Sequence, residues 1–174
     1  MFNFKISIFL LVYLIIGNLI MAKPKLSIGS KAPDFELHDQ DDNIHKLSHL
    51  IGQKIVIYFF PMADTPGWTK QACGFRDKFE SYKNANIKIF GISFDSSEKL
   101  KKFKRKHNIP FTLLSDRNKK VAKLYNAKGW FLPKRITYII DEKGIINNII
   151  KDINVHTHGD DILKILKKSS DIIK

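Results

Sequence analysis

The sequence predicts an α/β fold, a central mixed β-sheet with helices on both faces. Three observations carry that prediction. Short continuous runs of β-branched and aromatic residues recur along the chain, as expected of strands buried on both faces. Segments with apolar residues at helical spacing stand between them. The composition, 44% hydrophobic and 27% charged, is that of an ordinary globular chain and argues against disorder. At 174 residues the chain suits one compact domain with a short appendage.

The appendage comes first. Ile6 to Met21 is apolar, Lys5 is the only charge before it, and Ala22 suits the position just before a cleavage site, although Ile20 stands where a small residue is preferred. Residues 1–22 read as an export signal, with an uncleaved N-terminal membrane anchor or a buried helix as the other readings. Either leading reading places a domain of residues 23–174 outside the cytoplasm, in a periplasm or a lumen.

The domain opens on a hairpin, Phe35–His38 and Ile44–Leu47, around the Asp41-Asp42-Asn43 turn. Ile55–Phe60 (IVIYFF) and Ile87–Phe94 (IKIFGISF) are buried strands, and Arg135–Ile140 (RITYII) is a third. The Asp141–Gly144 turn joins that third strand to a partner, Ile145–Ile150. Helices are expected from Pro66 to about Tyr82, over Ser97–His107, Asn118–Tyr125 and Asp160–Lys168. Trp68, Ala72, Phe75, Phe79 and Tyr82 recur at steps of four and three and make one apolar face of the first helix. Asp95 followed by Glu98 announces the second as a capping box. A thioredoxin-like sandwich is one economical way to close this order of elements.

Charge and cysteine usage narrow the function. Thirty Lys and Arg against 17 Asp and Glu leave +13. The densest basic run, Lys99 to His107, reads as the outer face of an amphipathic helix, either solvated or drawn to an anionic membrane surface or an acidic partner. It has no stacking platform beside it, so nucleic acid is not an expected partner. A single cysteine, Cys73, excludes an intramolecular disulfide and a Cys-rich zinc site. His156 and His158 are read as part of a solvated loop before the last helix rather than as a metal site. No metal or other cofactor is expected. Trp130 and Phe131 either line a pocket rim or cover a sheet edge.

The informative segment is Tyr58 to Asp77, YFFPMADTPGWTKQACGFRD. Thr65 is a good N-cap and Pro66 suits the first helical position, which makes Gly67 the second and Trp68 the third. First-turn N–H groups lack intrahelical partners, and the helix dipole is positive there. An anion near position 68 would be stabilised, and a thiol there would be acidified and nucleophilic.

This segment resembles the active-site motif of the peroxiredoxins, specifically the Q-type or bacterioferritin-comigratory thiol peroxidases. The likeness runs from about Gly29 to the C-terminal helix. GSKAPDFELHDQDDNIHKLS, DTPGWTKQACGFRD, FGISFDSSE, IPFTLLSD and LPKRITYIIDEKG each match a family stretch, the last leaning to the cyanobacterial and plastid branch and so to a thylakoid lumen as one candidate compartment. The resemblance implies a monomer that reduces hydrogen peroxide and organic hydroperoxides with a thioredoxin-like reductant. It implies that Pro61 shields the pocket, that Thr65 positions peroxide and thiolate, that Arg135 stabilises the thiolate and polarises the peroxide, and that Cys73 stands at the resolving position.

The peroxidatic position, however, is Trp68, and an indole cannot form a sulfenic acid. Cys73 follows five residues later, about 140° around an ideal helix, and so points away from the pocket. Four readings of Trp68 stay open. The chain is a catalytically silent relative with an apolar plug. Or the natural residue is a cysteine or a UGA-encoded selenocysteine rendered as Trp. Or Cys73 supports a weak one-cysteine reaction. Or the scaffold binds a partner or small anion through the retained cap and Arg135.

Overall fold

The computed structural model describes residues 26–171. The expected export signal or anchor at 1–22 lies outside them, and no described helix is long and apolar enough to cross a membrane. The elements in chain order are β1 (Glu36–Asp39), β2 (Ile44–Lys46), a 3-10 turn (Leu47–Leu50), β3 (Lys54–Phe59), α1 (Pro66–Asp77), α2 (Phe79–Asn84), β4 (Ile87–Ser93), α3 (Ser97–Lys106), β5 (Thr112–Ser115), α4 (Lys120–Leu124), β6 (Thr137–Ile140), β7 (Ile146–Ile150) and α5 (His158–Asp171).

Seven strands form one mixed sheet in the order β2-β1-β5-β4-β3-β6-β7. The central pairs β3/β4 and β4/β5 are parallel. The flanking pairs are antiparallel, with β3 against β6 at Ile57 opposite Tyr138. Strand β3 is buried on both sides, and its alternate residues feed two cores. Ile55, Ile57 and Phe59 face the core that holds Tyr125 and Tyr138. Val56 and Tyr58, with Phe60 just beyond the strand, face the core under α1, α3 and α5. The expected architecture, a mixed sheet covered on both faces, is the observed one.

Several boundaries differ, each for a local reason. The first helix breaks at Lys78, whose backbone (φ −108°, ψ 6°) leaves the helix and starts α2. The helix expected from Asn118 begins at Lys120, because Lys119 is left-handed (φ 56°) and the buried Asp116 carboxylate takes the Val121 and Ala122 N–H groups. The expected capping box is not formed. Ser96 is the N-cap of α3, its hydroxyl accepting from the Lys99 N–H, and Asp95 is spent elsewhere, as described below. The four-residue β5, Thr112–Ser115, carries no pattern of its own in the residues; it lies within IPFTLLSD, one of the stretches that match the family. The strand expected from Arg135 begins at Thr137.

His158 corrects the reading of HTH as a solvated loop. It opens α5 at 2% exposure. Its Nε2 lies 2.9 Å from Thr137 Oγ1, and its ring stands edge-on to Phe75 at 5.3 Å. Burial pushes its pKa down to about 4, so it is a neutral core residue at neutral pH. His156 is exposed. Among the described residues no His, Cys, Asp and Glu cluster could hold a metal ion.

Candidate active site

Strand β3 leaves the sheet at Phe59, and the chain runs through Phe60 to Asp64 before α1 begins. Asp95, just past β4, fastens this loop. Its carboxylate accepts the Ala63 N–H at 2.7 Å and the Ser93 hydroxyl at 3.0 Å, and pairs with Lys99 at 2.7 Å. Asp64 turns the chain in the left-handed region (φ 67°). Its carboxylate bonds His107 and Lys106, both at 3.0 Å, and these partners hold its pKa below the usual carboxylate range. Pro61 in this loop is half-buried.

Thr65 occupies the N-cap position with extended backbone (φ −88°, ψ 147°), and Pro66 is the first helical residue, as expected. The cap works differently from the sequence expectation. The Thr65 hydroxyl makes no capping bond. It donates back to the Met62 carbonyl at 3.2 Å, so the side chain closes the loop and is turned from the helix. The Thr65 carbonyl accepts the N–H groups of Trp68 and Thr69, both at 3.0 Å.

Trp68 lies at the third helical position and is 1% exposed. Its ring stacks on Tyr58 (5.9 Å, 18°) and tilts against Phe60 (4.5 Å, 44°). Arg135 closes the outer side. Its guanidinium carbon is 5.4 Å from the indole centroid, within cation–π range. The same guanidinium lies so close to Gly67 that a Cβ there would stand 3.2 Å from Nη2. A side chain at position 67 would push the guanidinium back by a few tenths of an ångström. Thus Thr65, Trp68 and Arg135 meet at the amino end of α1, at the carboxyl end of a central strand, where α/β sheets commonly place their chemistry.

The indole fills this slot but leaves polar groups without partners. Trp68 Nε1, the Tyr58 hydroxyl, and both polar atoms of the Gln71 amide are buried with no hydrogen bond among the described residues. Gln71, 1% exposed, lies one turn along from Trp68 on the same helix face. An unpartnered buried polar group costs about 1–3 kcal/mol. Burial, with the charge of Cys73 a smaller cause, pushes the Tyr58 phenol far up, so it stays neutral.

Cys73 is the free thiol, half-buried in the middle of α1. Around it the helix is tied to the rest of the domain. Arg76 donates to the His107 carbonyl at 2.9 Å, and Phe75 meets the His158 ring. From the sequence Gln71 has no assigned role, Asp95 is read only as a cap and His158 only as a loop residue. A polar amide beside an apolar stripe is the signal that marks Gln71, whereas the burial of His158 has no local signal.

Trp130 and Phe131 are 87% and 78% exposed.

Comparison with known proteins places this geometry. The family model described as AhpC/TSA family matches residues 28–149. The chain is 43% identical over 147 residues to peroxiredoxin Q, chloroplastic, of Oryza sativa subsp. japonica, covering 82% of this chain and 68% of that protein. It is 42% identical over 147 residues to the Arabidopsis thaliana protein of the same name, with the same two coverages. Among solved structures, peroxidoxin BcpB from Mycobacterium tuberculosis superposes with a TM-score of 0.77 at 33% identity, over 82% of this chain and 97% of that one. A Xylella fastidiosa PrxQ mutant superposes at 0.80 over 83% and 98%, and at 22% identity it speaks for the fold alone.

Proposed function

The chain belongs to the AhpC/TSA family as a Q-type peroxiredoxin, and from that membership we propose that the first turn of α1 is its peroxide site, with the attacking atom replaced by an indole. Position 68 is the peroxidatic position. Thr65 and Arg135 are the groups that would orient peroxide and stabilise a thiolate, Pro61 shields the pocket, and Cys73 is the resolving thiol. In a relative with cysteine at position 68, the thiolate attacks the O–O bond, gives a sulfenic acid and releases an alcohol or water. The second thiol then displaces water to form a disulfide, which an external dithiol reduces. The Trp68 chain does not run the first step and so does not turn over peroxide in this way.

The observation that carries the reading is the position of Trp68. It is 1% exposed at the third residue of α1, beneath Arg135. The unpartnered Trp68 Nε1 and Gln71 amide support a slot suited to a smaller, polar group. The test is peroxide consumption with a thioredoxin-type reductant. Wild type is expected to be inactive and Trp68→Cys to gain turnover, which Cys73→Ser in the same background slows by removing the resolving thiol. Turnover by wild type that Cys73→Ser abolishes would show that Cys73 attacks peroxide itself. An inert Trp68→Cys variant would leave a silent binding module on the same fold.

The setting completes the proposal. The apolar residues 6–21 and the chloroplastic relatives favour an exported or organellar protein, a monomer in a periplasm or thylakoid lumen.

A further inference from the structure

The two most basic stretches of the chain differ in what their charges meet. In α3 the lysines are largely neutralised. Lys99 pairs with Asp95 at 2.7 Å, Lys101 with Asp41 at 3.0 Å, Lys102 with Glu98 at 2.7 Å and Lys106 with Asp64 at 3.0 Å. From Arg117 to Arg135 the chain carries seven cations and no carboxylate. Among the described residues none of those seven pairs with an acid.

Within this second stretch a loop is built to project apolar side chains. The Lys134 N–H donates to the Ala127 carbonyl at 2.7 Å and pins the two ends together. Gly129 packs so tightly that a Cβ there would stand 2.2 Å from the Leu132 carbonyl oxygen, so only glycine allows this turn. Pro133 is buried at the base. At the tip, Trp130, Phe131 and Leu132 are 87%, 78% and 40% exposed, the first two being the most exposed large apolar residues described. The two rings lie 6.1 Å apart at 32°. Lys128, Lys134 and Arg135 flank the tip and are exposed.

A stable domain gains nothing from holding two aromatic rings in water. Tryptophan and phenylalanine beside lysines suit the boundary between lipid headgroups and acyl chains, where the rings leave water and the cations meet phosphates. Each lysine near an anionic leaflet adds attraction that salt screens. We propose that the 128–134 loop docks on an anionic bilayer surface through Trp130, Phe131 and Leu132, with Lys128 and Lys134 meeting the headgroups. Because Arg135 follows directly and reaches Gly67 and Trp68, docking brings the amino end of α1 towards the lipid. The inference does not rest on the peroxide chemistry.

The test reads the loop itself, since the apolar residues 6–21 of the full chain would favour any vesicle. The chain has two tryptophans, and Trp68 is buried, so a change on adding vesicles reports Trp130. Full-length protein is mixed with phosphatidylglycerol-containing vesicles or with pure phosphatidylcholine vesicles, each with and without brominated acyl chains. The expected result is a blue shift and quenching of Trp130 in anionic vesicles only. Trp130→Phe should abolish the signal, and Lys128→Gln with Lys134→Gln, or high salt, should remove most of it. No quenching in anionic vesicles would overturn the proposal, as would equal quenching in both vesicle types. A blue shift that grows with protein concentration without vesicles would overturn it in favour of self-association.

Discussion

The first and second turns of α1 hold complementary halves of the proposed peroxide site. The first turn has the electrostatics: an open helix end, Arg135 against Gly67, and the Thr65 backbone that starts the helix. It lacks a nucleophile, because position 68 is an indole with an unpartnered N–H. The second turn has the nucleophile, Cys73, but lies beyond the reach of the helix end. What the difference teaches is that this chain keeps the place where a thiolate would be favoured separate from the thiol it owns. Joining them requires the helix to unwind, and the second turn is held against unwinding by Arg76 on the His107 carbonyl and by Phe75 against His158.

Removing the indole breaks the comparison most strongly. Trp68 fills the space between Tyr58, Phe60 and Arg135. Trp68→Ala should therefore lower stability by about 3–5 kcal/mol in urea unfolding. A loss near zero would mean that the slot collapses and that the ring is not a plug.

The second turn is tested next, through pH. His158 has its pKa lowered to about 4 from 6.5. The unfolded chain then binds a proton that the folded chain refuses, so this contribution is complete above pH 6.5 and is lost as pH falls towards 4. The loss should reach about 3 kcal/mol. His158→Gln should flatten that part of the stability profile. An unchanged slope in the variant would show that His158 is not the titrating group.

A smaller effect belongs to the guanidinium. Arg135→Gln removes the cation from above the Trp68 ring and should cost about 0.5–1 kcal/mol, read again by urea unfolding. Its consequence should be larger for a thiol placed at position 68, since Arg135 is the nearby cation that favours the anion. An equal effect of Arg135→Gln on thiol reactivity at positions 68 and 73 would erase the distinction between the turns.

Much of this was legible in the sequence, for physical reasons. The runs at Ile55–Phe60 and Ile87–Phe94 announced themselves because strands buried on both faces need unbroken apolar residues. Thr65-Pro66 marked the start of α1 because proline is tolerated there and not later. The motif around Trp68 and the stretch that carries Arg135 are far apart in sequence, and only the resemblance joined them before the structure did. What stayed hidden depends on tertiary partners. Asp95 and Ser96 are both good caps, and only the loop before α1 decides that Asp95 goes to Ala63. His158 looks solvated beside His156 until α5 packs on Phe75. The basic run of α3 looks like the charged surface of the protein, yet acids at Asp41 and Asp64, distant in sequence, pair with it.

The most direct test places a thiol at each turn and compares them. Trp68→Cys with Cys73→Ser carries a single thiol at the first turn, and wild type carries one at the second. The alkylation rate of each is followed against pH. The account predicts that the thiol at position 68 titrates well below the ordinary cysteine value of about 8.5 and, in mildly acidic solution, reacts faster than Cys73. A thiol at position 68 that titrates at or above that value, or reacts more slowly than Cys73 throughout, would contradict it.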